Sequence, residues 1–412
     1  MDSTFFQCYK SFVLLFVVIY LPGLLFYPFF SEGFSSYFNY TEGVYLNSFI
    51  LIFSFLFLTF ISFYLVSKIP YTKVYYINSK LCLLIVFSVV LVYFLLSVNF
   101  SLNFTSSFRH KNRLSNAGGL VAVLFFLKPI IYFIVSLMLI NILNGRGFGR
   151  KGKILLFLIL ISSILSLNSS LQFIIVPIIF IMIVSPGLMT KNFYDFNIKY
   201  LLTTILFIPL ICIVVVFIGI GNKVGYDYLL SSEGLNYILN YGNTLFPRMS
   251  TSLFSSVILL NNTLNGVFYS SEVLDGIHAT LLNRFSLILP IDNFDSSLIN
   301  TVNRLNYLEV FRNHADRAGA SPGIISSIFY TPFFPATFFI IPLYIACIFR
   351  ALRVHMKNIR FNFLSVIIFP YLILNLFESP LNILYIADPV FILFFTVVFL
   401  GRFINVEEVF SK

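Results

Sequence analysis

Tryptophan is absent from these 412 residues, cysteine and histidine occur four times each, and charged residues make up only 10% of the chain. Soluble domains carry about 25% charged residues, so there is too little charge here to cover a water-facing surface. Cys8, Cys82 and Cys347 fall near ends expected in the cytoplasm, and Cys212 lies inside an apolar run. That placement predicts no disulfide, and no cysteine spacing suits zinc. There is no Asp-x-Asp pair at an outer membrane end and no His, Asp or Glu grouping with ligand spacing. No cofactor is expected. The glycine-rich stretch from Asn144 to Lys153 lies between two apolar runs with no strand before it, which reads as a basic turn and not a nucleotide loop. No internal repeat is visible.

What the chain does have is apolar length. Hydrophobic residues make up 59% of it, with 53 Phe and 24 Tyr, and the mean hydropathy is +0.94. Runs of spanning character occur at 11–30, 47–66, 81–100, 119–142, 154–167, 173–189, 200–220, 332–349, 361–377 and 389–403. These predict an all-α, polytopic transmembrane helical bundle of about ten spans, twelve at most. The fifth and sixth runs are short, and a hairpin there is the alternative to two tilted spans. The first run lacks a small-residue cleavage site, so a cleavable signal is not expected.

With the N-terminus inside, sixteen of the 26 basic residues fall in short inner loops and tails. The net charge of +10 is then a topology signal, and a nucleic-acid partner is not needed to explain it. Both termini are expected on the cytoplasmic side of the membrane. The chain divides into spans 1–7 (1–220), a large outer loop (221–331) and spans 8–10 with a tail (332–412). The loop holds six basic and eight acidic residues, half the chain's acids. Leu298, Val302, Leu305, Leu308 and Phe311 mark one helix face, and 251–268 is similarly patterned. Both predict short helices lying on the membrane surface against the outer ends of the spans.

Chemistry concentrates in the loop. Arg304, Arg312, His314 and Arg317 fall within fourteen residues, with Glu309 and Asp316 among them. Gly319 suits a helix end, and Ser321 followed by Pro322 suits a helix start, Ser as N-cap and Pro at the first position. Arginines beside free helix N–H groups form a site for phosphate or pyrophosphate. A simpler account makes Glu309–Arg312 and Arg312–Asp316 solvated helix pairs. Arg248 and Arg284 are single arginines in apolar sequence, which either snorkel or meet an anion. The outer side carries seven Arg and three Lys, the inner side six Arg and ten Lys. Arg holds phosphate in a planar fork, whereas Lys serves as a topology charge. The basic run Arg109 to Arg113 in a smaller outer loop suits lipid headgroups. Lys128, followed by Pro129, lies nine residues into the fourth run, roughly 13 Å deep at 1.5 Å per residue. An intramembrane Lys is a functional candidate.

The run RNHADRAGASPGIISSIFY, beginning at Arg312, resembles the segment of Wzy-type O-antigen polymerases where the long periplasmic loop returns to the membrane. The length, the Phe-, Ile- and Asn-rich composition and the single dominant loop are also similar to that family. The resemblance implies a metal-independent glycosyltransferase of the membrane GT-C type. Such an enzyme moves an undecaprenyl-pyrophosphate-linked glycan onto a lipid-linked repeat unit at the periplasmic face. It further implies pyrophosphate contacts for Arg248, Arg284, Arg312 and Arg317, with Arg304 less secure. The expected partners are lipid-linked oligosaccharides and membrane lipids, with a chain-length regulator and a flippase beside them. Catalytic roles are expected for His314, Arg312 and Arg317; Glu309, Asp316 and Lys128 join the arginines in substrate binding. The proton acceptor is His314, Glu309 or Asp316. His314 with Gly319 and Gly323 also resembles the pattern of O-antigen ligases, at shorter spacing. A ligase is therefore the first alternative. A flippase, the second, would carry charge through several spans.

Overall fold

The computed structural model describes residues 3–69, 79–102, 124, 127–139, 149–165, 176–177, 180–181, 217, 226–239, 242–286, 302–312, 320–331, 334–356 and 379. Among these the fold is all-α, with no strand. The helices are α1 (Ser3–Phe26), α2 (Ser31–Tyr37), α3 (Val44–Ser67), α4 (Ser79–Leu102), α5 (Leu127–Leu139), α6 (Arg150–Leu165), α7 (Tyr226–Leu229) and α8 (Ser232–Leu239). They continue with α9 (Gly242–Met249), α10 (Thr251–Leu264), α11 (Ser270–Ser286), α12 (Val302–Val310), α13 (Gly323–Ser326) and α14 (Thr337–Met356).

Six of the ten apolar runs coincide with α1, α3, α4, α5, α6 and α14. Among the described residues two helical stretches, Cys8–Phe26 and Val44–Ser67, are long and apolar enough to cross a membrane. The runs at 361–377 and 389–403 lie outside the described residues, as do nearly all of those at 173–189 and 200–220. The face that α3 buries carries Ser48, Thr59 and Ser62 between Leu51, Phe55, Phe63 and Val66. Its opposite face is Phe49, Ile50, Phe53, Phe57 and Ile61, with Phe49 70% exposed. A water-facing helix puts its polar residues outward; here three of the five Ser and Thr residues point inward, while five bulky apolar residues point outward.

Two compact units make up the chain. One comprises 1–73, 240–351 and 371–405; the other comprises 74–239, 352–370 and 406–412. The 221–331 stretch is thus shared, with 221–239 in the second unit and the remainder in the first.

In the first unit α10 is the centre. Leu253, Phe254, Ser255, Ser256, Val257, Ile258 and Leu259 are all buried, so two full turns are enclosed on every side. The expectation of an amphipathic helix on the surface is overturned here. Gly23 of α1 lets α10 approach: a Cβ there would lie 2.5 Å from Leu253 Cδ2 and 3.2 Å from Ser250 Cβ. Small residues at a helix crossing permit such backbone proximity. Tyr20, six residues before the end of α1, receives at its hydroxyl the backbone N–H of Ile325 at 3.0 Å. At 1.5 Å per residue that is about 9 Å below the helix end. The 320–331 segment therefore descends beside α1 instead of lying across its tip.

Sequence periodicity is partly right for α12. Val302, Leu305 and Phe311 are buried as expected, Leu308 only partly, and Leu298 lies outside the described residues. The helix ends at Val310, and Asn306, which periodicity did not select, is fully enclosed. Its amide donates to Ser255 Oγ at 3.1 Å and to the Ala320 carbonyl at 3.0 Å, and its oxygen accepts from Tyr330 at 3.3 Å. Replacing Asn306 with Ala strands these buried partners, each orphan costing roughly 1–3 kcal/mol. The expected result is a thermal midpoint in detergent several degrees lower.

In the second unit α4 packs along α6. Beside them, Ser136 of α5 donates to the Pro177 carbonyl at 3.2 Å. Phe133 meets Phe180 edge-on at 5.5 Å.

Candidate functional site

The loop between α1 and α3 builds one wall of the site, and sequence reasoning passed over it. α2 opens with Glu32 in its first turn, where the helix dipole favours an anion, and closes at Tyr37. Phe38 is then extended and forms an isolated antiparallel bridge with Phe311. The Asn39 N–H donates to the Val310 carbonyl at 2.9 Å, the Arg312 N–H to the Tyr37 carbonyl at 3.3 Å, and Asn39 Nδ2 to the Glu309 carbonyl at 2.7 Å. Rings hold this joint from behind: Phe38 stacks on Phe254 at 4.5 Å with planes 2° apart, and packs on Phe311 at 5.4 Å.

Tyr37 is where two of the expected arginines converge. Arg248, in the last turn of α9 just after Pro247, donates from Nε to the Tyr37 hydroxyl at 3.3 Å. Arg312 is bound through its backbone to the same residue, and its side chain is exposed. The Tyr37 ring meets those of Phe38 and Phe311 edge-on, each at 5.1 Å. These contacts fix where its hydroxyl points.

The solvated-pair account of Glu309 and Arg312 fails on geometry. It needs both residues on one helix, and α12 ends at Val310 before the chain turns into the bridge. Among the described residues no ion pair joins Glu309 to Arg312. Glu309 Oε2 instead accepts from the Tyr269 hydroxyl at 2.9 Å, and that hydroxyl accepts from Asn262 Nδ2 at 2.7 Å. Tyr269 is buried, its ring 5.2 Å from Tyr330. Burial raises the pKa of Tyr269 well above its ordinary value, and the Glu309 charge adds to the shift against the opposing Asn262 bond. Burial also raises Tyr330, with smaller contributions from Tyr269 and Glu309. Tyr269 is therefore a neutral donor throughout the physiological range.

The remaining expected residues fall in different places. The Arg304 guanidinium lies over the Tyr307 ring at 5.8 Å, within cation–π range. Arg284 is in the last turn of α11, its side chain outside the described residues. His314, Asp316 and Arg317 lie outside the described residues, as does Gly319. Lys128 belongs to the second unit and is only 5% exposed. Among the described residues no three His, Cys, Asp or Glu side chains gather.

The expected helix start at Ser321-Pro322 is corrected. α13 is a single turn beginning at Gly323, preceded by Pro322 and without a side-chain cap. Every residue in it is buried, and the Ile325 N–H is spent on Tyr20. A one-turn helix has little dipole, and its donors face protein. The anion-binding case therefore rests on guanidinium groups alone.

No protein-family model, no curated protein and no solved structure matches this chain.

Proposed function

We propose that this chain is a multi-pass bacterial inner-membrane glycosyltransferase that polymerises a surface polysaccharide. Its donor would be an undecaprenyl-pyrophosphate-linked glycan and its acceptor a lipid-linked repeat unit, as in the O-antigen polymerases that the Arg312–Tyr330 run resembles. The observation that carries the reading is the convergence of Arg248 and Arg312 on Tyr37, at the loop joining the two helices that are, among the described residues, long and apolar enough to cross a membrane. Two guanidinium-bearing segments far apart in sequence are tied to one tyrosine while neither arginine has an ion-pair partner among the described residues. Arginines with no counter-ion among the described residues, placed beside an apolar helix end, suit an anion supplied by a lipid.

The chemistry needs little more. An acceptor hydroxyl attacks the anomeric carbon of the donor glycan, the bond from that carbon to phosphate oxygen breaks, and undecaprenyl pyrophosphate leaves with the electron pair. Its new negative charge is what fixed guanidinium groups stabilise. The hydroxyl proton passes to a base: His314, Glu309 or Asp316. Arg317, Arg284 and Arg304 would complete the grip on pyrophosphate and glycan. A flippase and a chain-length regulator would supply and limit the substrate. Polymerisation requires no metal in this scheme.

A strain deleted for the gene tests the reading. Lipopolysaccharide carrying single repeat units is the expected phenotype. Bare core with accumulated lipid-linked polymer would make the protein a ligase, and the loss of periplasmic repeat units altogether would make it a flippase.

A further inference from the structure

We propose that Glu309 is the group that takes the acceptor's proton, with Tyr269 and Asn262 as its positioning residues. This assignment rests on the glycosyl-transfer reading and selects one base where that reading leaves three.

The hydrogen bonds run in one direction only. Asn262 Nδ2 can donate but not accept, so at 2.7 Å it occupies a lone pair of the Tyr269 oxygen. The Tyr269 proton must then point the other way, to Glu309 Oε2 at 2.9 Å. An ionised carboxylate only accepts, and this arrangement offers it a donor that cannot turn away. Glu309 is partly exposed although its hydrogen-bond partner is buried. No cation among the described residues neutralises it.

Its placement also matches what the step requires. The Glu309 carbonyl is clamped by Asn39 Nδ2 at 2.7 Å, and the next residues form the bridge that carries Arg312 to Tyr37. The carboxylate therefore stands at the joint between a rigid helix and the arginine-bearing segment. Leaving-group stabiliser and proton acceptor are held by the same two-residue pairing. In the step, the acceptor O–H bond breaks as oxygen bonds to the anomeric carbon. The proton becomes the hydroxyl hydrogen of a neutral Glu309 and is later lost to water, while the electron pair of the broken sugar–phosphate bond leaves on undecaprenyl pyrophosphate.

Membranes of the deletion strain, carrying their own lipid-linked repeat units and complemented with each variant, provide the test. Glu309→Gln should insert at wild-type level, bind farnesyl pyrophosphate as wild type does, and polymerise about a thousandfold more slowly, within the range of general-base losses. Glu309→Ala should be equally slow and should regain activity on addition of formate, a rescue that a merely structural carboxylate would not show. Tyr269→Phe should lower kcat about tenfold with KM unchanged, and Glu309→Asp should retain more activity than Glu309→Gln. Wild-type rates for Glu309→Gln, or failure of formate to restore Glu309→Ala, would overturn the assignment and leave the polymerase reading standing. Membranes in which the wild-type protein forms no polymer would overturn both.

Discussion

Replacing Arg248 or Arg312 with alanine is expected to abolish the polymer ladder of lipopolysaccharide while the protein still inserts at its normal level. Removing one preorganised donor from a developing oxyanion costs about 100–1,000-fold in rate, enough to leave only single repeat units on a gel. Neither arginine is a structural necessity. The Arg312 side chain is exposed, and the contact that anchors this residue is made by its backbone. Among the described residues Arg248 makes one side-chain bond, to a half-buried tyrosine. Tyr37→Phe is the informative companion: it keeps the ring against Phe38 and Phe311 but leaves Arg248 unanchored. It should shorten the ladder without erasing it. A normal ladder from both alanine variants would remove these residues from the mechanism.

Gly323→Ala is expected to lower stability by about 3 kcal/mol, taking left-handed strain and overpacking together. Gly323 has φ of 85°, and an added Cβ would meet Ser252 Oγ at 2.6 Å and Ser252 Cβ at 2.7 Å. Behind Ser252 lies the most enclosed stretch of α10, so there is nowhere for it to withdraw. Gly266 separates the two causes. Its φ is 82° but nothing lies within 4 Å of its would-be Cβ, so Gly266→Ala should show backbone strain alone, roughly 1 kcal/mol. Thermal unfolding in detergent reads the difference. Equal midpoints for the two variants would show that the approach of α13 to α10 is looser than these distances.

How legible each feature was depended on its range. Apolar runs are local, and six of them lie on helices; α3 extends its predicted run by three residues at the start and one at the end, whereas α1 begins eight residues before its run and ends four residues short of it. The convergence of Arg248 and Arg312 could not be read, because its agent is Tyr37 in a loop with no charge pattern of interest. Asn306 and Tyr269 were invisible for a related reason. A polar side chain inside a core is placed by partners contributed from elsewhere, here Ser255, Tyr330, Asn262 and Glu309. The Ser321-Pro322 signal misled because capping statistics describe helices ending in solvent. In this chain the corresponding donor is satisfied by a tyrosine 305 residues away.

By itself the sequence determined that the chain is helical, that its charge is scarce, and that five of its thirteen arginines fall in one loop. Those properties follow from composition and from periodicity over one or two turns, so no distant contact can alter them. Only the tertiary structure decided that α10 and the 320–331 segment enter the core of the first unit. It also decided that Glu309 answers to Tyr269 and not to Arg312, and that Tyr37 joins arginines 64 residues apart. Each of these is a pairing between segments whose local preferences carry no record of one another, and close packing alone brings them within hydrogen-bond reach.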